Sequence, residues 1–498
     1  MELTSIGYVL LPVTLGLAFW PGRLMQLVLI AAVFGAAAPI VLSGGPDALA
    51  LPSPLLPGLL LIGVLALQTL IGLRPPTMPD VAWMLLPFLL FVLWGIAGAY
   101  FLPRFFLGEF QVWPQRLGDD FAAPVYLEPS SGNMTQGVYI ITNTMMLLFG
   151  ALFVARSPNI ERIVLRTYLF SGYLVVGICL WEWANKLTGI YFPEDFLYSN
   201  PRWAIYTEQT FGSVARLNGP FTEPAGLAAY LAGIAFATLN LLLNGHHTVA
   251  RWMLLGLAIL AVALSTSTTG LAVVLLGVPL LIFRGVIVGA QGAFRFIGIG
   301  LAGVILLALV GFFALPAIAP RFEAGVHDVT NQTLEKSEST SYEDRTTKDF
   351  DSIALLLPSY GLGAGWGSVR SSSLIPGILG NTGVPGFLLL TWFAVRTSRR
   401  LAQVRRTAPP ETGIALGALT WSLLGNLCAA LLSGPTIDTI DFFLRLAVIV
   451  GCCARLQPAA AAAAAAAALR DTASAVGAAR RPRPTIGVAA QPTPSAIS

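Results

Sequence analysis

The sequence predicts an all-α polytopic integral membrane protein, and three observations lead to this fold class. Hydrophobic residues make up 55% of the 498 positions, and charged residues only 11%. The mean hydropathy is +0.74, which is unlike a soluble domain. Apolar runs of roughly 20 residues, the length that crosses a bilayer as a helix, recur along the chain. We therefore predict about 12 to 13 transmembrane helices.

The predicted spans are apolar runs with few interior charges. The clearest lie at 24–42, 55–72, 81–101, 136–155, 163–185, 224–244, 250–266, 269–284, 295–316, 380–396 and 413–433, and two further candidates at 5–20 and 439–454. Consecutive serines and threonines at 265–269 divide one long apolar stretch. A single helix there would be too long for a bilayer, so we predict two helices joined by a polar turn.

Arginines in the short connections predict the orientation, because Lys and Arg accumulate on the cytoplasmic side of membrane proteins. They fall in alternate connections, at Arg74, Arg156, Arg162, Arg251, Arg284, Arg295, Arg396, Arg399, Arg400, Arg405 and Arg406. The three longest connections, 102–135, 186–222 and 317–379, are then extracytoplasmic. Arg455 and the basic tail put the C-terminus in the cytoplasm, and about thirteen spans would leave the N-terminus outside.

The chain divides into one membrane domain at 1–456 and a cytoplasmic tail at 457–498. Alanine, proline and arginine dominate the tail, a low-complexity composition typical of disorder. No basic residue precedes the first apolar run, so we expect no cleavable signal peptide. The four cysteines fall in apolar segments and predict neither a disulfide nor a metal site: Cys179, Cys428, Cys452 and Cys453.

Two function classes are disfavoured by the sequence. The net charge of +4 is accounted for by loops that face lipid headgroups, and no basic stripe with interleaved aromatics predicts nucleic-acid binding. Asp349 and Asp351 resemble a metal-binding carboxylate pair, but no further oxygen ligands follow at a recognisable spacing, so we interpret them as a solvated loop face. His246 and His247 lie in a cytoplasmic connection, and His327 is interpreted as a surface residue. We predict no metal and no cofactor.

The long outer connections carry the candidate chemistry. They contain a set of arginines, whose planar guanidinium groups suit phosphate and pyrophosphate oxygens: Arg202, Arg216, Arg321, Arg345 and Arg370. At Thr222, Glu223 and Pro224 the second of these connections enters a helix, with Thr222 as the expected N-cap. The backbone amides of that helix N-terminus add affinity for an anion. Alternatively, Glu223 only complements the helix dipole, and Arg216 pairs with it or with a lipid phosphate.

The third outer connection ends in a glycine-rich segment. Glycines at 361, 363, 365 and 367 follow Tyr360 and precede Arg370 and three serines. Bare backbone allows a ligand to approach or helices to pack closely, and both interpretations stay open. A dinucleotide loop is disfavoured because the flanking strand and helix are missing.

Three charged residues in apolar runs complete the candidates. Glu182 lies between two tryptophans near the outer end of a span, which suggests either an interfacial, less buried position or a place in the substrate cavity. Asp441 and Arg445 are four residues apart and should pair on one helix face.

The segment around Arg216, the glycine-rich segment and the break at 265–269 together resemble the O-antigen ligase/polymerase family of bacterial membrane glycosyltransferases, over roughly 130–450. The resemblance is carried by Arg216-x-x-Gly219-x-Phe221-x-Glu223-Pro224, by the Ser/Thr break, and by Gly361-x-Gly363-x-Gly365-x-x-Ser368-x-Arg370-x-Ser372 leading to Gly383-Val384-Pro385-Gly386. It implies a GT-C-like enzyme that acts on undecaprenyl-pyrophosphate-linked glycans at the periplasmic face of the inner membrane, without a metal or a nucleotide sugar.

The resemblance also implies roles for the candidates. Arg216 and Arg370 would hold the donor pyrophosphate and neutralise its charge as it leaves, and Glu223 would orient or deprotonate the acceptor hydroxyl. The expected substrate-binding set is Arg202, Arg345, Arg321, Ser372 and Tyr360, with Glu182, Asp441 and Arg445 supporting it. Expected partners are the lipid-linked oligosaccharide donor and acceptor, membrane lipids, and a chain-length regulator and flippase of the same pathway.

Departures from the family pattern favour a polymerase over a ligase. Ligases typically place a histidine shortly after the glycine-rich stretch, and here Arg370 is followed by serines. The arginine often found at the Ser/Thr break is also absent. A lipid-linked glycan transporter is the remaining alternative, although carriers tend to show two related halves and this chain has no evident internal repeat.

Overall fold

The structure is a computed structural model that describes residues 2–42, 50–115, 123–201, 205, 210–211, 214–287, 294–296, 298, 340–434, 437 and 439–457. Arg202, Arg321, His327, nearly all of the predicted span 295–316 and the tail after Gln457 lie outside the described residues.

Helices dominate the described residues, as the hydropathy predicts. In chain order they are α1 (Ser5–Gly16), α2 (Pro21–Ala31), α3 (Leu55–Leu70), α4 (Met78–Phe105), α5 (Ser131–Arg156), α6 (Ile160–Thr188), α7 (Glu194–Leu197), α8 (Pro224–Leu243), α9 (Val249–Leu264), α10 (Thr268–Ile287), α11 (Thr340–Ala354), α12 (Leu374–Thr407), α13 (Pro410–Leu432) and α14 (440–457).

Within the described residues, seven helices have the length and apolar composition to cross a membrane, namely α4, α5, α6, α8, α10, α12 and α13. This agrees with the predicted polytopic all-α architecture. The break at 265–269 is confirmed, since α9 ends at Leu264 and α10 begins at Thr268. Apolar α3 and α9 also match predicted spans.

The prediction of one continuous span at 24–42 is wrong, because α2 ends at Ala31. Gly35 and Pro39 follow, and both disfavour helix continuation. The chain instead forms a small antiparallel sheet in which β2 (Ile40–Val41) pairs with β1 (Glu2–Leu3) and with β3 (Ala50–Leu51). With 12 and 11 residues, α1 and α2 are too short to cross about 30 Å of hydrocarbon at 1.5 Å per residue.

The predicted outer connections contain regular structure. In 102–135, β4 (Gln111–Val112) pairs with β5 (Val125–Tyr126). In 186–222, the short α7 is followed by a pair formed by β6 (Thr210–Phe211) and β7 (Val214–Ala215). The third connection contains α11.

The centre of the bundle is α8, of whose apolar window 89% is buried. It packs closely against α13, because Gly425 carries no side chain: a Cβ there would lie 2.6 Å from the carbonyl oxygen of Ala232. Small residues permit this close approach of two helices. We call the end of the bundle where α8 begins the site end. Ser265 also lies there, because Arg216 contacts it. The start of α12 lies there as well, because Asp349 binds Ser372 just before that helix and Arg345, one turn earlier on the same helix as Asp349, acts on Arg216.

Candidate functional site

The N-terminus of α8 is formed by Glu223 and Pro224. Glu223 is the N-cap, with φ −149° and ψ 157°, and its side chain makes no capping hydrogen bond. The expectation that Thr222 is the N-cap is therefore wrong. Pro224 takes the first helical position, where the missing N–H costs nothing. The Glu223 side chain is exposed at the site end.

Arg216 lies half-buried beside the turn between α9 and α10. Its Nε donates a hydrogen bond of 3.3 Å to the carbonyl oxygen of Ser265. The turn is tight, since Thr266 has a φ of +48°, which side chains rarely adopt. The Arg216 segment and the Ser/Thr break, which are about 50 residues apart in the sequence, therefore meet at one place.

The charges of two other residues, Glu223 and Arg345, act on Arg216. Partial burial lowers the pKa of Arg216, the carboxylate of Glu223 raises it, and the positive charge of Arg345 lowers it. Arg345 belongs to α11 and is exposed. A carboxylate and two guanidinium groups thus share one neighbourhood at the start of α8, where the helix dipole adds partial positive charge.

Glu182 holds the segment that follows Arg216. Its carboxylate accepts hydrogen bonds from the backbone N–H groups of Asn218, at 3.3 Å, and Gly219, at 2.7 Å. Lys186 lies 2.9 Å from the same carboxylate and also donates to the carbonyl oxygen of Arg216. Glu182 is only 3% exposed. The interpretation of Glu182 as an interfacial, less buried residue is therefore wrong: it positions the backbone beside Arg216.

A tyrosine, Tyr198, also binds the segment that follows Arg216. The Tyr198 hydroxyl donates to the carbonyl oxygen of Gly219 at 2.8 Å. Burial raises the pKa of Tyr198, and the negative charge of Glu182 raises it further, so the phenol keeps its donor proton. Gly219 itself has a φ of +57°, a conformation that favours glycine.

The glycine-rich segment packs against α4 and α5. Gly361, Gly363, Gly365 and Gly367 all have positive φ, from 78° to 101°. A Cβ on Gly365 would lie 2.7 Å from the carbonyl oxygen of Gly98 in α4, and one on Gly367 would lie 2.7 Å from that of Gly132 in α5. Close packing is therefore the interpretation that the structure favours for these glycines.

Asn381 fixes the end of this segment, and sequence reasoning missed it. Its Oδ1 accepts hydrogen bonds from three consecutive backbone N–H groups, those of Gly367, Ser368 and Val369, at 3.0 to 3.1 Å. Its Nδ2 donates to the carbonyl oxygens of Val369 and Gly377, both at 2.8 Å. A polar residue inside an otherwise apolar predicted span was the signal that could have found it.

Arg370 emerges where this segment reaches α12. Its backbone N–H donates to the carbonyl oxygen of Trp113 at 2.8 Å, and its side chain is exposed. The three serines that follow lead into α12, whose N-cap is Ser373. Ser372, a predicted substrate-binding residue, is half-buried, and its backbone N–H is occupied by a carboxylate.

That carboxylate is Asp349, which corrects its interpretation as part of a solvated loop face. Asp349 lies in α11 and accepts from the backbone of Ser372 at 2.6 Å, and from the backbone and hydroxyl of Ser373 at 3.1 and 2.5 Å. Asp351 accepts from Trp113 Nε1 at 2.8 Å. Asp349 therefore fastens α11 to the segment that carries Arg370, and Asp351 fastens α11 to Trp113 in the first outer connection.

Helix α11 connects the two halves of the site. Arg345 and Asp349 are one turn apart on α11: the first acts on Arg216 and the second binds the serines after Arg370. Tyr360 contributes less, since it is 82% exposed with its ring beside Phe106 and a φ of +51°. The structure thus brings Arg216, Glu223 and Arg345 together and ties Arg370 to them through α11.

Asp441 and Arg445 form the predicted pair, at 2.8 Å, in the interior of the bundle. Arg445 is 1% exposed and donates to Ser422 and Asn426, both at 2.9 Å, while its guanidinium lies 4.3 Å from the centre of the Tyr168 ring. Asn426 in turn donates to a carbonyl oxygen of α8 at 2.7 Å. The pair lies on α14 and holds that helix against α13, rather than joining the charged cluster.

An apolar cavity of about 440 Å³ lies among α4, α5, α12, α13 and α14. Phenylalanine, leucine and isoleucine side chains form most of its wall, and the polar residues that line it are Gln136, Tyr139, Asn143, Thr391, Thr397, Ser398 and Thr420. Trp366 and Leu374 also line it, and these residues flank Arg370 in the sequence. The cavity wall therefore includes the residues four positions before and four positions after Arg370.

Among the described residues, no group of three His, Cys, Asp or Glu side chains is placed to hold a metal ion. The cysteines at 179, 428, 452 and 453 are free thiols.

Comparison with known protein families finds no match for this chain, and a search of curated proteins finds no similar sequence.

Proposed function

We propose that this protein is a polysaccharide polymerase of the inner membrane. It transfers an undecaprenyl-pyrophosphate-linked glycan chain to a lipid-linked repeat unit at the periplasmic face, and so lengthens an exopolysaccharide, a capsule or an O-antigen. No metal and no cofactor enter the reaction. The proposal rests on the sequence resemblance and on one structural observation.

That observation is the charged cluster of Arg216, Glu223 and Arg345 at the N-terminus of α8, tied through α11 to Arg370 beside an apolar cavity. The guanidinium groups of Arg216, Arg345 and Arg370, together with a helix N-terminus, suit a pyrophosphate. The cavity suits hydrocarbon, because most of its wall is apolar. A polyprenyl pyrophosphate has both parts.

In the proposed reaction, Arg216, Arg345 and Arg370 bind the donor pyrophosphate and stabilise the negative charge that develops as the glycosidic bond to it breaks. Glu223 is the carboxylate of the cluster, and its side chain is exposed. In this proposal it accepts the proton of the acceptor hydroxyl as that oxygen bonds to the sugar carbon that the pyrophosphate leaves. Arg216 keeps its positive charge at neutral pH, because a guanidinium stays protonated even with a lowered pKa.

Two other functions fit parts of the same geometry. A ligase would use the same donor and pass the finished glycan to lipid A core or another acceptor. A transporter would bind the same lipid-linked glycan without breaking a bond. Ser371 to Ser373 stand where a ligase histidine is typical, and Asp349 accepts hydrogen bonds from two of these serines. The two histidines within the described residues, His246 and His247, lie between α8 and α9, at the other end of α8.

The experiment is the size distribution of lipid-linked glycans in a strain that lacks this protein, complemented with wild type, Arg216→Ala or Arg104→Ala. Arg104 is an arginine at the end of α4 that stacks on Tyr100, outside the cluster. We expect single repeat units in the null and Arg216→Ala strains, and long chains with wild type and Arg104→Ala. Long chains that stay on the lipid would identify a ligase, and an unchanged distribution would contradict both enzymes.

A further inference from the structure

A second cluster of cationic groups lies at the end of the bundle opposite the site end. Arg284 is in the last turn of α10, and its guanidinium carbon lies 5.2 Å from the centre of the Trp421 ring. Arg405 is in the last turn of α12, and its Nη2 lies 3.0 Å from where a Cβ on Gly417 would be. Gly417 and Trp421 are four residues apart on α13 and therefore share one face. Two arginines from different helices converge on that face.

The surrounding protein supplies no counter-charge that the structure records. None of the ion pairs among the described residues contains Arg284 or Arg405. Glu411, the acidic residue at the start of α13, pairs with Arg162 instead. Two neighbouring cations repel each other, so an anion between them would be bound favourably.

Asn240 adds a buried acceptor to the same place. Its side chain is 6% exposed, and its Oδ1 has no hydrogen-bond donor within the part of the chain that the structure describes. The Oδ1 atom lies 3.0 Å from the position that a Cβ on Gly417 would take, and Arg405 Nη2 lies 3.0 Å from the same position. The Oδ1 and Nη2 atoms are therefore no farther apart than the sum of these two distances. A buried acceptor without a donor is unfavourable. The site therefore suits a ligand that has both an anionic group and a hydroxyl.

An exposed apolar strip leads away from this cluster. Leu276 and Leu280 precede Arg284 on the same face of α10, at intervals of four residues, and are 67% and 65% exposed. This strip fits an acyl chain that runs along the helix from a headgroup held at Arg284. A free phosphate ion would leave it uncovered.

We propose that Arg284, Arg405 and Asn240 bind phosphatidylglycerol. The phosphate accepts from the two guanidinium groups, and a glycerol hydroxyl donates to Asn240 Oδ1. An ethanolamine headgroup would bring an ammonium group next to two arginines, which disfavours it. This end of the bundle is the one predicted to face the cytoplasm, where anionic headgroups and basic residues meet. The proposal does not depend on the function proposed for the site end.

The test is native mass spectrometry of the purified protein in detergent, titrated with phosphatidylglycerol and, separately, with phosphatidylethanolamine of the same chains. Wild type is compared with Arg284→Gln/Arg405→Gln and with Arg399→Gln/Arg406→Gln. All four arginines are exposed, so the latter pair removes the same charge from two other exposed positions near the end of α12, away from Gly417 and Trp421. We expect the first double variant to bind phosphatidylglycerol at least about tenfold more weakly, given the strength of charged hydrogen bonds. Equal loss in both variants, or equal binding of the two lipids by wild type, would overturn the proposal.

Asn240→Asp keeps the test decisive if the arginine variant does not fold. Aspartate has the size of asparagine and would pair with the arginines, so we expect weaker phosphatidylglycerol binding with no fall in the unfolding temperature. Unchanged lipid binding in Asn240→Asp would contradict the site. Inorganic phosphate and glycerol 1-phosphate serve as competitors, and displacement of the lipid by either at equal concentration would identify a site for a free anion instead.

Discussion

The carboxylate of Glu182 lies 2.7 Å from the backbone nitrogen of Gly219, and this contact joins a membrane helix to the segment that carries Arg216. A buried carboxylate that accepts two backbone N–H groups and a lysine fixes those three groups relative to one another. Glu182 and Lys186 therefore position Arg216 through its neighbouring backbone, although neither belongs to the charged cluster.

Glu182→Gln should lower activity without removing any group from the cluster. The amide keeps one acceptor oxygen but leaves Lys186 without its carboxylate, so the Arg216 segment loses its anchor. We expect the free energy of unfolding to fall by about 1–3 kcal/mol. Transferase activity and thermal unfolding of the purified protein measure both effects. Glu128→Gln, an exposed glutamate in the first outer connection, is the matched control and should change neither.

Arg216→Lys tests whether the planar guanidinium matters or only its charge. Lysine keeps the positive charge but cannot donate two parallel hydrogen bonds to a pyrophosphate. We expect activity to fall roughly a hundredfold at normal membrane abundance, the scale for loss of one charge-stabilising donor. Arg104→Lys should retain activity. A fully active Arg216→Lys protein would contradict a bidentate role for Arg216.

Gly367→Ala should destabilise the protein, whereas Gly137→Ala should not. Gly367 has a φ of +84°, and an added Cβ would lie 2.7 Å from the carbonyl oxygen of Gly132. The left-handed conformation alone costs roughly 1–2 kcal/mol for a residue with a Cβ. Gly137 lies in α5 with nothing within 4 Å of its Cβ position, and alanine favours helix. Thermal unfolding in detergent distinguishes them, and equal unfolding temperatures would show that the segment has room for a side chain.

Asn381→Asp should affect the Arg370 segment selectively. Aspartate still accepts from the three N–H groups of residues 367–369, but it cannot donate to the carbonyl oxygens of Val369 and Gly377. We expect a larger loss of activity than in Asn426→Asp, which changes an asparagine of α13 that donates to α8. Kinetic assays of both variants at matched abundance check this. An Asn381→Asp protein with wild-type activity would mean that those two donations do not position Arg370.

Hydropathy predicted the long helices and the break at 265–269 because both depend on local composition. It failed at 24–42, where α2 ends at Ala31 although the run stays apolar, and Gly35 and Pro39 disfavour any continuation of the helix. Arg216 and Glu223 were found from charge beside a predicted span. The roles of Asp349 and Asn381 were not predicted. They depend on hydrogen bonds between residues 12 to 24 positions apart in the sequence, and composition does not encode such contacts.

The pair of Asp441 and Arg445 gives a prediction about stability. Arg445→Met leaves the buried Asp441 carboxylate without a partner, and Asp441→Leu leaves the guanidinium without one, so each single change should destabilise by about 3–5 kcal/mol. The double variant removes both charges and should recover most of that loss, because apolar residues of similar size often replace a buried pair without cost. Asn426 would keep its hydrogen bond to α8 in all three proteins. Thermal unfolding and membrane abundance measure the three variants. If the double variant is less stable than either single variant, the two charges do not compensate each other, and the pair does more than hold α14 against α13.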